Sequence, residues 1–254
     1  MAGVDASERA SRLVDVLRRD GRVDVAGAAA EFGTAEMTIR RDLDSLVEHG
    51  VARRVRGGAV SSLMRGEELP FAMREVENQQ IKKRLAAAVA ELLCDGEAVG
   101  LDSGTTVLEV ARVLAGRRLT VMPLSLHAAT ALASTSTRLI MPGGETRHGE
   151  LAMVGPLALA SISALRFDTV VLGCCGVTPT GDVSAHDLGD AAVKQALLAS
   201  ARRSVMVLDG SKFSHSAMAV VCQLSTFDVV VTDTAAPETA VMALQAAGVA
   251  VHRV

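Results

Sequence analysis

The sequence predicts an α/β protein with a small helical N-terminal domain and a larger domain built on a mostly parallel, helix-covered sheet. Beyond residue 97, short apolar runs alternate with helical patterns, which is typical of a parallel sheet with helices on both faces. Before residue 60, three short helical patterns precede an arginine-rich extended segment. The chain has 254 residues and is 49% hydrophobic, so both domains can bury a core.

Composition limits the classes of partner. Because the net charge is −3, affinity for nucleic acid would have to come from a local basic surface. Trp and Tyr are absent and Phe occurs five times, which argues against the aromatic stacking of single-strand binding. No apolar stretch reaches the roughly 18 residues of a membrane span, and the N-terminus has no secretory signal pattern. We expect a soluble, cytoplasmic protein with no membrane partner.

The cysteines and histidines do not have the spacing of a metal site. Cys94, Cys174, Cys175 and Cys222 include no CxxC pair, so we expect free thiols in a reducing cytoplasm. The six histidines show no ligand spacing, and no nucleophile-elbow motif is present. The sequence therefore predicts no metal ion, no cofactor and no catalytic residue.

The N-terminal domain, residues 1–60, is predicted to contain three helices and a strand. The first helix covers residues 7–19, with Ser7 as a cap, and the second covers residues 24–32, with Asp24 as a cap. The third helix covers residues 35–49. Its inward residues are Ile39, Leu43, Leu46 and Val47.

The outer face of the third helix and the strand after it form a candidate DNA-binding surface. With the apolar residues inward, the first half of the helix exposes its arginine pair. An extended segment, residues 51–56, adds three arginines before a turn at Gly57-Gly58. This order of elements, a helix with an arginine pair, an arginine-rich extended segment and a glycine turn, is typical of a winged helix-turn-helix. The recognition helix of that fold contacts base edges and phosphates. The alternative is a solvated helix whose arginines pair with neighbouring acidic residues. The predicted DNA-contacting residues are Met37, Thr38, Arg40, Arg41, Arg53, Arg54 and Arg56.

A linker is predicted at residues 61–74, because Ser61, Ser62, Gly66 and Pro70 interrupt the periodic pattern. A long amphipathic helix from about Phe71 to Leu93 then leads into the larger domain, residues 75–254. The candidate strands there are 98–102, 119–124, 138–141, 169–172, 205–208, 229–232 and 249–252. The candidate helices are 106–115, 125–134, 156–164, 188–202 and 236–247.

The segment Asp102-Ser103-Gly104-Thr105-Thr106 joins a predicted strand to a predicted helix. Glycine permits close backbone approach, the three hydroxyls can donate hydrogen bonds, and a helix N-terminus attracts anions. The segment is therefore a candidate phosphate-binding loop. The alternative is a capped strand–helix turn without a ligand.

The chain resembles the DeoR family of bacterial transcriptional regulators. The resemblance runs through Val23-x-Val25, Phe32-Gly33 and Thr38-Ile39-Arg40-Arg41-Asp42-Leu43 to Gly50, Arg53 and Gly57-Gly58-Ala59. Two departures concern stability of the small domain. Thr34-Ala35 replaces the family's Val-Ser before the recognition helix, which removes a cap worth about 1 kcal/mol unless Thr34 substitutes. Ala28 replaces a leucine of the second helix.

The resemblance continues to about residue 233 and implies an effector domain similar in fold to ribose-5-phosphate isomerase. The Asp102–Thr106 segment resembles the family's phosphate loop. Lys194 and Lys212 could neutralise a phosphate, although Lys194 could instead be solvated and Lys212 could pair locally. Leu124 and Cys175 depart from the family's polar residues, and Asp190 replaces a glutamate. The effector-contacting residues implied by the resemblance are Asp102, Ser103, Gly104, Thr105, Thr106, Gly143, Gly144, Cys175, Asp190, Lys194 and Lys212.

These features predict a DNA-binding regulator, most simply a repressor of sugar or carbon catabolism genes. It would bind double-stranded operator DNA as a homo-oligomer, a dimer or tetramer, and a phosphorylated sugar would relieve repression. One alternative is a sugar-phosphate isomerase-like enzyme with a DNA-binding appendage, for which Asp190 is the only candidate base. Another is an adaptor that binds no ligand.

Overall fold

The computed structural model describes residues 6–62 and 68–254, and the chain divides into two compact units, residues 1–77 and 78–254. Among the described helices, none combines the length and the apolar character that crossing a membrane requires.

The described part of the N-terminal unit forms four helices and a small antiparallel sheet. The elements are α1 (Ala6–Asp20), β1 (Arg22–Asp24), α2 (Val25–Glu31), α3 (Glu36–Glu48), β2 (Ala52–Val55), β3 (Gly58–Ser61) and α4 (Phe71–Val76). The strand order is β1-β3-β2, so the hairpin of β2 and β3 is the wing beside α3. The three predicted helices and the arginine-rich strand are confirmed. The pattern did not predict β1 and β3.

Aliphatic residues from all three predicted helices form the core of this unit. Leu13 and Leu17 of α1 pack with Ile39 and Leu43 of α3, each fully buried or nearly so. Leu69, inside the predicted linker, is buried in the same core, so the compact unit extends well beyond residue 60. The central part of that linker, residues 63–67, lies outside the described residues, as does the side chain of the expected cap Ser7.

Helix capping differs between α2 and α3. Asp24 accepts a hydrogen bond from the Gly27 amide at 2.9 Å and caps α2 as expected. Ala35 is the cap position of α3 and makes no side-chain hydrogen bond. Thr34 therefore does not replace the missing serine, and α3 begins without a side-chain cap.

The prediction of one helix from Phe71 to Leu93 is wrong. Two helices occupy this region: α4 ends at Val76, and α5 (Gln79–Leu92) begins three residues later. Asn78 has a φ of 51°, in the left-handed region that asparagine tolerates better than most residues. The boundary of the two compact units coincides with this break.

The C-terminal unit is built on a seven-stranded parallel sheet with the order β15-β14-β12-β9-β4-β5-β6. Its strands are β4 (Ala98–Leu101), β5 (Thr120–Pro123), β6 (Arg138–Leu139), β9 (Phe167–Leu172), β12 (Ala201–Val207), β14 (Val229–Thr232) and β15 (Ala250–Arg253). Its helices, besides α5, are α6 (Thr105–Leu114), α7 (Leu126–Ala133), α8 (Pro156–Ser163), α9 (Leu188–Ala199) and α10 (Glu238–Ala246). All seven predicted strands and five predicted helices are present, with ends shifted by a few residues.

Both faces of this sheet are buried, as the near-continuous apolar strands predict. Val170 and Leu172 of β9 lie in the core formed with α8, α9 and α10, while Val171 lies in the core formed with α5, α6 and α7. Gly100 of β4 allows α9 to approach, since a Cβ atom there would lie 2.8 Å from Leu197 Cδ1.

Two antiparallel additions were not predicted. The strands β7 (Glu145–Arg147) and β8 (Ala152–Val154) form a hairpin, and β10 (Gly176–Val177), β11 (Asp182–Ala185) and β13 (Ala219–Gln223) form a small sheet. These strands have two to five residues.

Candidate functional site

The outward face of α3 exposes the side chains that the sequence selects. Met37 is 60% exposed, Arg40 and Arg41 are exposed, and Thr38 is half-buried. Among the described residues, Arg41 makes no hydrogen bond or ion pair. Arg40 pairs with Glu36 one turn earlier at 3.2 Å, with both side chains about half exposed. Such pairs contribute little, so Arg40 can exchange Glu36 for a phosphate.

The wing arginines divide into two kinds. Arg53 and Arg56 are exposed on the hairpin of β2 and β3. Arg54 instead points to α3, where its Nε donates to Asp44 Oδ1 at 2.8 Å and its terminal nitrogen donates to the Arg40 carbonyl. Arg54 therefore holds the wing against the recognition helix, and direct contact of Arg54 with DNA stays a prediction.

A second ion pair fixes the other side of α3. Arg9 of α1 pairs with Asp42 at 2.5 Å, and both side chains are largely buried. The residue that follows the arginine pair thus joins α3 to α1. The roles of Arg9 and Asp44 were not predicted, because partners that lie on different elements leave no periodic signal in the sequence.

The candidate ligand site lies at the carboxyl edge of the parallel sheet. The chain leaves β4 toward β5 and β6 on one side, and later returns to β9 on the other side of β4. In open parallel sheets the ligand crevice lies where the strand order reverses in this way. The Asp102–Thr106 segment follows β4, and Gly173, Cys174 and Cys175 follow β9.

The segment after β4 has the geometry of an anion-binding turn. Gly104 has a φ of 102°, a conformation that a side chain would strain, and it precedes the first residue of α6. The first amide groups of a helix have no partner within the helix and can donate to an anion. Ser103 and Thr105 are buried, and Thr106 is half-buried. The hydroxyls and amides of this segment can therefore surround a small anion.

A buried group of charges lies directly behind this segment. Lys194 of α9 is 3% exposed and forms an ion pair with Asp102, while Asp190 lies 3.7 Å from its Nζ. Burial alone would lower the pKa of Lys194, but the two carboxylates outweigh burial and raise that pKa. Lys194 is therefore not solvated, and its charge is shared by two internal carboxylates. Its direct contact with a ligand phosphate stays a prediction.

The segment after β9 borders the same charges. Burial raises the pKa of Cys174 to about 12, while the ammonium groups of Lys212 and Lys194 act on it in the opposite direction. The Cys174 thiol is thus neutral and is not a nucleophile at neutral pH. Lys212, half-buried on a short 3₁₀ helix after β12, can offer its charge to a ligand at this edge.

Two other predicted residues, Gly143 and Gly144, have packing roles, as does Leu124, which departs from the family's polar residue. The Gly143 amide donates to Ser161 Oγ of α8 at 3.1 Å. A Cβ atom on Gly144 would lie 2.6 Å from the Val154 carbonyl oxygen, so the approach of β8 requires a glycine there. Leu124 is buried in the core. For Gly143 and Gly144, contact with the effector stays a prediction.

The two units match two family models. Residues 9–63 match a DeoR-like helix-turn-helix domain, and residues 77–234 match a DeoR C-terminal sensor domain.

Whole-length relatives are similar as well. The chain is 33% identical to "Transcriptional repressor AccR" of Agrobacterium fabrum over 229 residues, 89% of each protein. It is 30% identical to the "Glycerol-3-phosphate regulon repressor" of Escherichia coli K12 over 235 residues, 91% of this chain and 92% of that protein. Among solved structures, ribose 5-phosphate isomerase A of Methanocaldococcus jannaschii matches with a TM-score of 0.41 and 18% identity, over 54% of this chain and 55% of that one.

Proposed function

This chain belongs to the DeoR family of DNA-binding transcriptional repressors, and we propose that it represses genes of sugar or carbon catabolism until a phosphorylated sugar binds at Ser103–Thr106. The family assignment rests on matches to both units and on relatives that align over almost the whole chain. The operator, the effector and its site are the proposed part.

One observation supports DNA binding most directly: a protein of net charge −3 exposes Arg40, Arg41, Arg53 and Arg56 on one helix and its adjacent wing. Arginine can donate two hydrogen bonds to a guanine edge, which discriminates against other bases by about 1–3 kcal/mol. The wing arginines suit the phosphate backbone. We propose that α3 enters the major groove with Met37 and Arg41 toward the bases.

We further propose that the chain binds its operator as a homo-oligomer. A single small recognition unit contacts few base pairs, and linking two units raises affinity and fixes the spacing of the half-sites. Effector binding would favour an arrangement whose recognition helices no longer match that spacing. Near-complete release requires the effector to prefer that arrangement by about 10⁴-fold, some 5.5 kcal/mol.

Replacing Arg41 tests the DNA-binding part. A duplex selected by the wild-type protein from a random library serves as the probe in a gel shift at fixed salt. Arg41→Ala should weaken binding by about 10- to 100-fold without lowering the melting temperature, because Arg41 is exposed. Arg18→Ala, an exposed arginine at the end of α1, is the matched control and should bind as wild type. Equal affinity of the Arg41→Ala and Arg18→Ala variants would refute the assignment of α3.

The observation that supports an anionic effector is the turn before α6, with its glycine at positive φ, its buried hydroxyls and the first amide groups of the helix. A ligand that binds only the folded protein raises its melting temperature. We expect stabilisation by phosphorylated sugars and none by the same sugars without phosphate. If the sugars without phosphate raise the melting temperature as well, the phosphate group is not needed for binding. If no sugar of either kind raises it, the result would favour an adaptor that binds no ligand.

An isomerase needs a general base that can reach the substrate carbon. Asp190, the only carboxylate offered for that role, is 4% exposed and lies beside Lys194. This arrangement supports a positioning role for Asp190, so we propose a regulator and not an enzyme.

A further inference from the structure

An exposed methionine interrupts the charged outer face of α3. Met37 is 60% exposed, whereas Ile39 and Leu43 of the same helix are fully buried. A single apolar side chain on a protein surface is common and by itself indicates no function. The position of Met37 on the helix and the chemistry of its side chain restrict what it can contact.

Met37 and Arg41 lie on one line along the surface of α3. Residues four apart in an α-helix are neighbours, separated by about 6 Å along the helix axis. Met37 is the second residue of α3, and the first residues of a recognition helix are those that contact base edges. One turn beyond Arg41, Asp44 continues the line, and the wing residue Arg54 pairs with its carboxylate. The line therefore offers an incoming duplex an exposed apolar group, then an exposed cation, and then a carboxylate that is already paired.

The chemistry of methionine leaves few partners in the major groove. The side chain of Met37 has no charge and no hydrogen-bond donor, and a thioether sulfur is a weak acceptor, so it gains little beside a phosphate. All four bases present hydrogen-bonding groups in the major groove, but thymine alone adds an apolar group, its C5-methyl. An unbranched thioether side chain adapts its shape to an apolar neighbour. Thymine is therefore the base that Met37 can distinguish.

We propose that Met37 packs against the C5-methyl group of a thymine in the operator and sets the base preference at that position. This inference rests on the proposed entry of α3 into the major groove. The axial separation of about 6 Å between Met37 and Arg41 equals roughly two base-pair steps of about 3.4 Å. The thymine should thus lie within about two base pairs of the guanine that Arg41 contacts.

Replacing thymine by uracil tests the contact, because it removes the methyl group and keeps the O4 acceptor. The probe is a labelled operator selected by the wild-type protein from a random library, with one thymine replaced by uracil in each duplex. Fluorescence anisotropy at fixed salt measures the affinity of the full chain for every duplex. One position in the half-site should lose about three- to fivefold in affinity, as expected for one methyl group that is no longer buried.

Two methionine variants assign that loss. Met37→Gln keeps the length and the helix propensity of the side chain but replaces its apolar end with an amide. It should bind the thymine and uracil duplexes equally at the sensitive position, and it should melt at the wild-type temperature because Met37 is exposed. Met242→Gln is the matched control, since Met242 on α10 is 61% exposed and lies in the other unit, and it should keep the full loss.

A second base analogue checks the spacing. Replacing one guanine at a time by 7-deazaguanine removes the N7 acceptor to which an arginine donates. The guanine whose replacement weakens the wild-type protein but not Arg41→Ala is the one that Arg41 contacts. The uracil-sensitive thymine should lie within about two base pairs of it.

The outcomes separate this inference from the proposed function. If the wild-type protein selects no duplex, DNA binding and the Met37 contact fail together. If Arg41→Ala weakens binding but no uracil duplex does, DNA binding by α3 stands and the Met37 contact is overturned. A uracil loss that persists in Met37→Gln assigns the methyl group to another residue and also overturns the inference, as does an operator with no sensitive thymine near the guanine.

Discussion

The proposed DNA-binding surface and the candidate ligand site both combine basic and acidic residues, but the two regions use them in opposite ways. On α3 and the wing, Arg41, Arg53 and Arg56 are exposed and available to a partner. Behind the candidate ligand site, Lys194 is enclosed by Asp102 and Asp190. Exposed charges have little effect on folding and can bind an external ligand, whereas buried charges must first satisfy one another. Substitutions in the buried group of charges should therefore affect stability, and those on the exposed surface should affect affinity.

The largest effect is expected for Lys194→Met. This change leaves two buried carboxylates without their cation, which should lower the free energy of unfolding by about 3–5 kcal/mol. Urea denaturation measures the loss. Lys83→Met, on the exposed face of α5, is the control and should stay within about 0.5 kcal/mol of wild type. A loss below about 1 kcal/mol for Lys194→Met would mean that Lys194, Asp102 and Asp190 do not form a buried group of charges.

The two adjacent wing arginines should separate a phosphate contact from a positioning role. Arg53→Gln should reduce the slope of log affinity against log salt by about 0.9, the value for one phosphate contact. Arg54→Gln should leave that slope unchanged and weaken binding by about 1 kcal/mol at every salt concentration, since it releases the wing from Asp44. Fluorescence anisotropy of a labelled operator measures both variants. A reduced slope for Arg54→Gln would place Arg54 on the DNA after all.

The smallest effect concerns the uncapped start of α3. Ala35→Ser supplies the hydroxyl that the cap position lacks, and it should raise the free energy of unfolding by about 1 kcal/mol. Ala26→Ser, an exposed position inside α2, should instead lower it by roughly 0.5 kcal/mol. Thermal melting of both variants checks the signs, and stabilisation by both would show that the gain does not come from capping.

The sequence predicted the parallel sheet well because its strands are buried on both faces. Val170, Val171 and Leu172 read as one apolar run, and such runs separated by helices have few alternative folds. The break at Asn78 was missed since the apolar spacing continues across it, and only the left-handed backbone reveals it. The hairpin of β7 and β8 was missed because Glu145 and Thr146 are exposed and polar.

The candidate sites also contain features that the sequence predicts and features that it does not. The exposed arginines of α3 were predictable, because helical periodicity separates them from Ile39 and Leu43. The difference between Arg53, which is exposed, and Arg54, which pairs with Asp44, was not predictable, since Asp44 lies on another element. Likewise, Lys194 looked like an available cation, and only the approach of α9 to β4 shows that Asp102 and Asp190 surround it.

Release of operator DNA by an effector tests whether the effector phosphate binds at the start of α6. Anisotropy of a labelled operator is followed while phosphorylated sugars are added to wild type, Thr105→Asp and Thr105→Asn. Thr105→Asp places a negative charge at the first residue of α6, where the phosphate is proposed to bind, and the neutral Thr105→Asn is its matched control. We expect the sugar phosphate to release wild type and Thr105→Asn from the operator, and to leave Thr105→Asp bound. Equal release of all three proteins would place the effector elsewhere and refute a phosphate site at Ser103–Thr106.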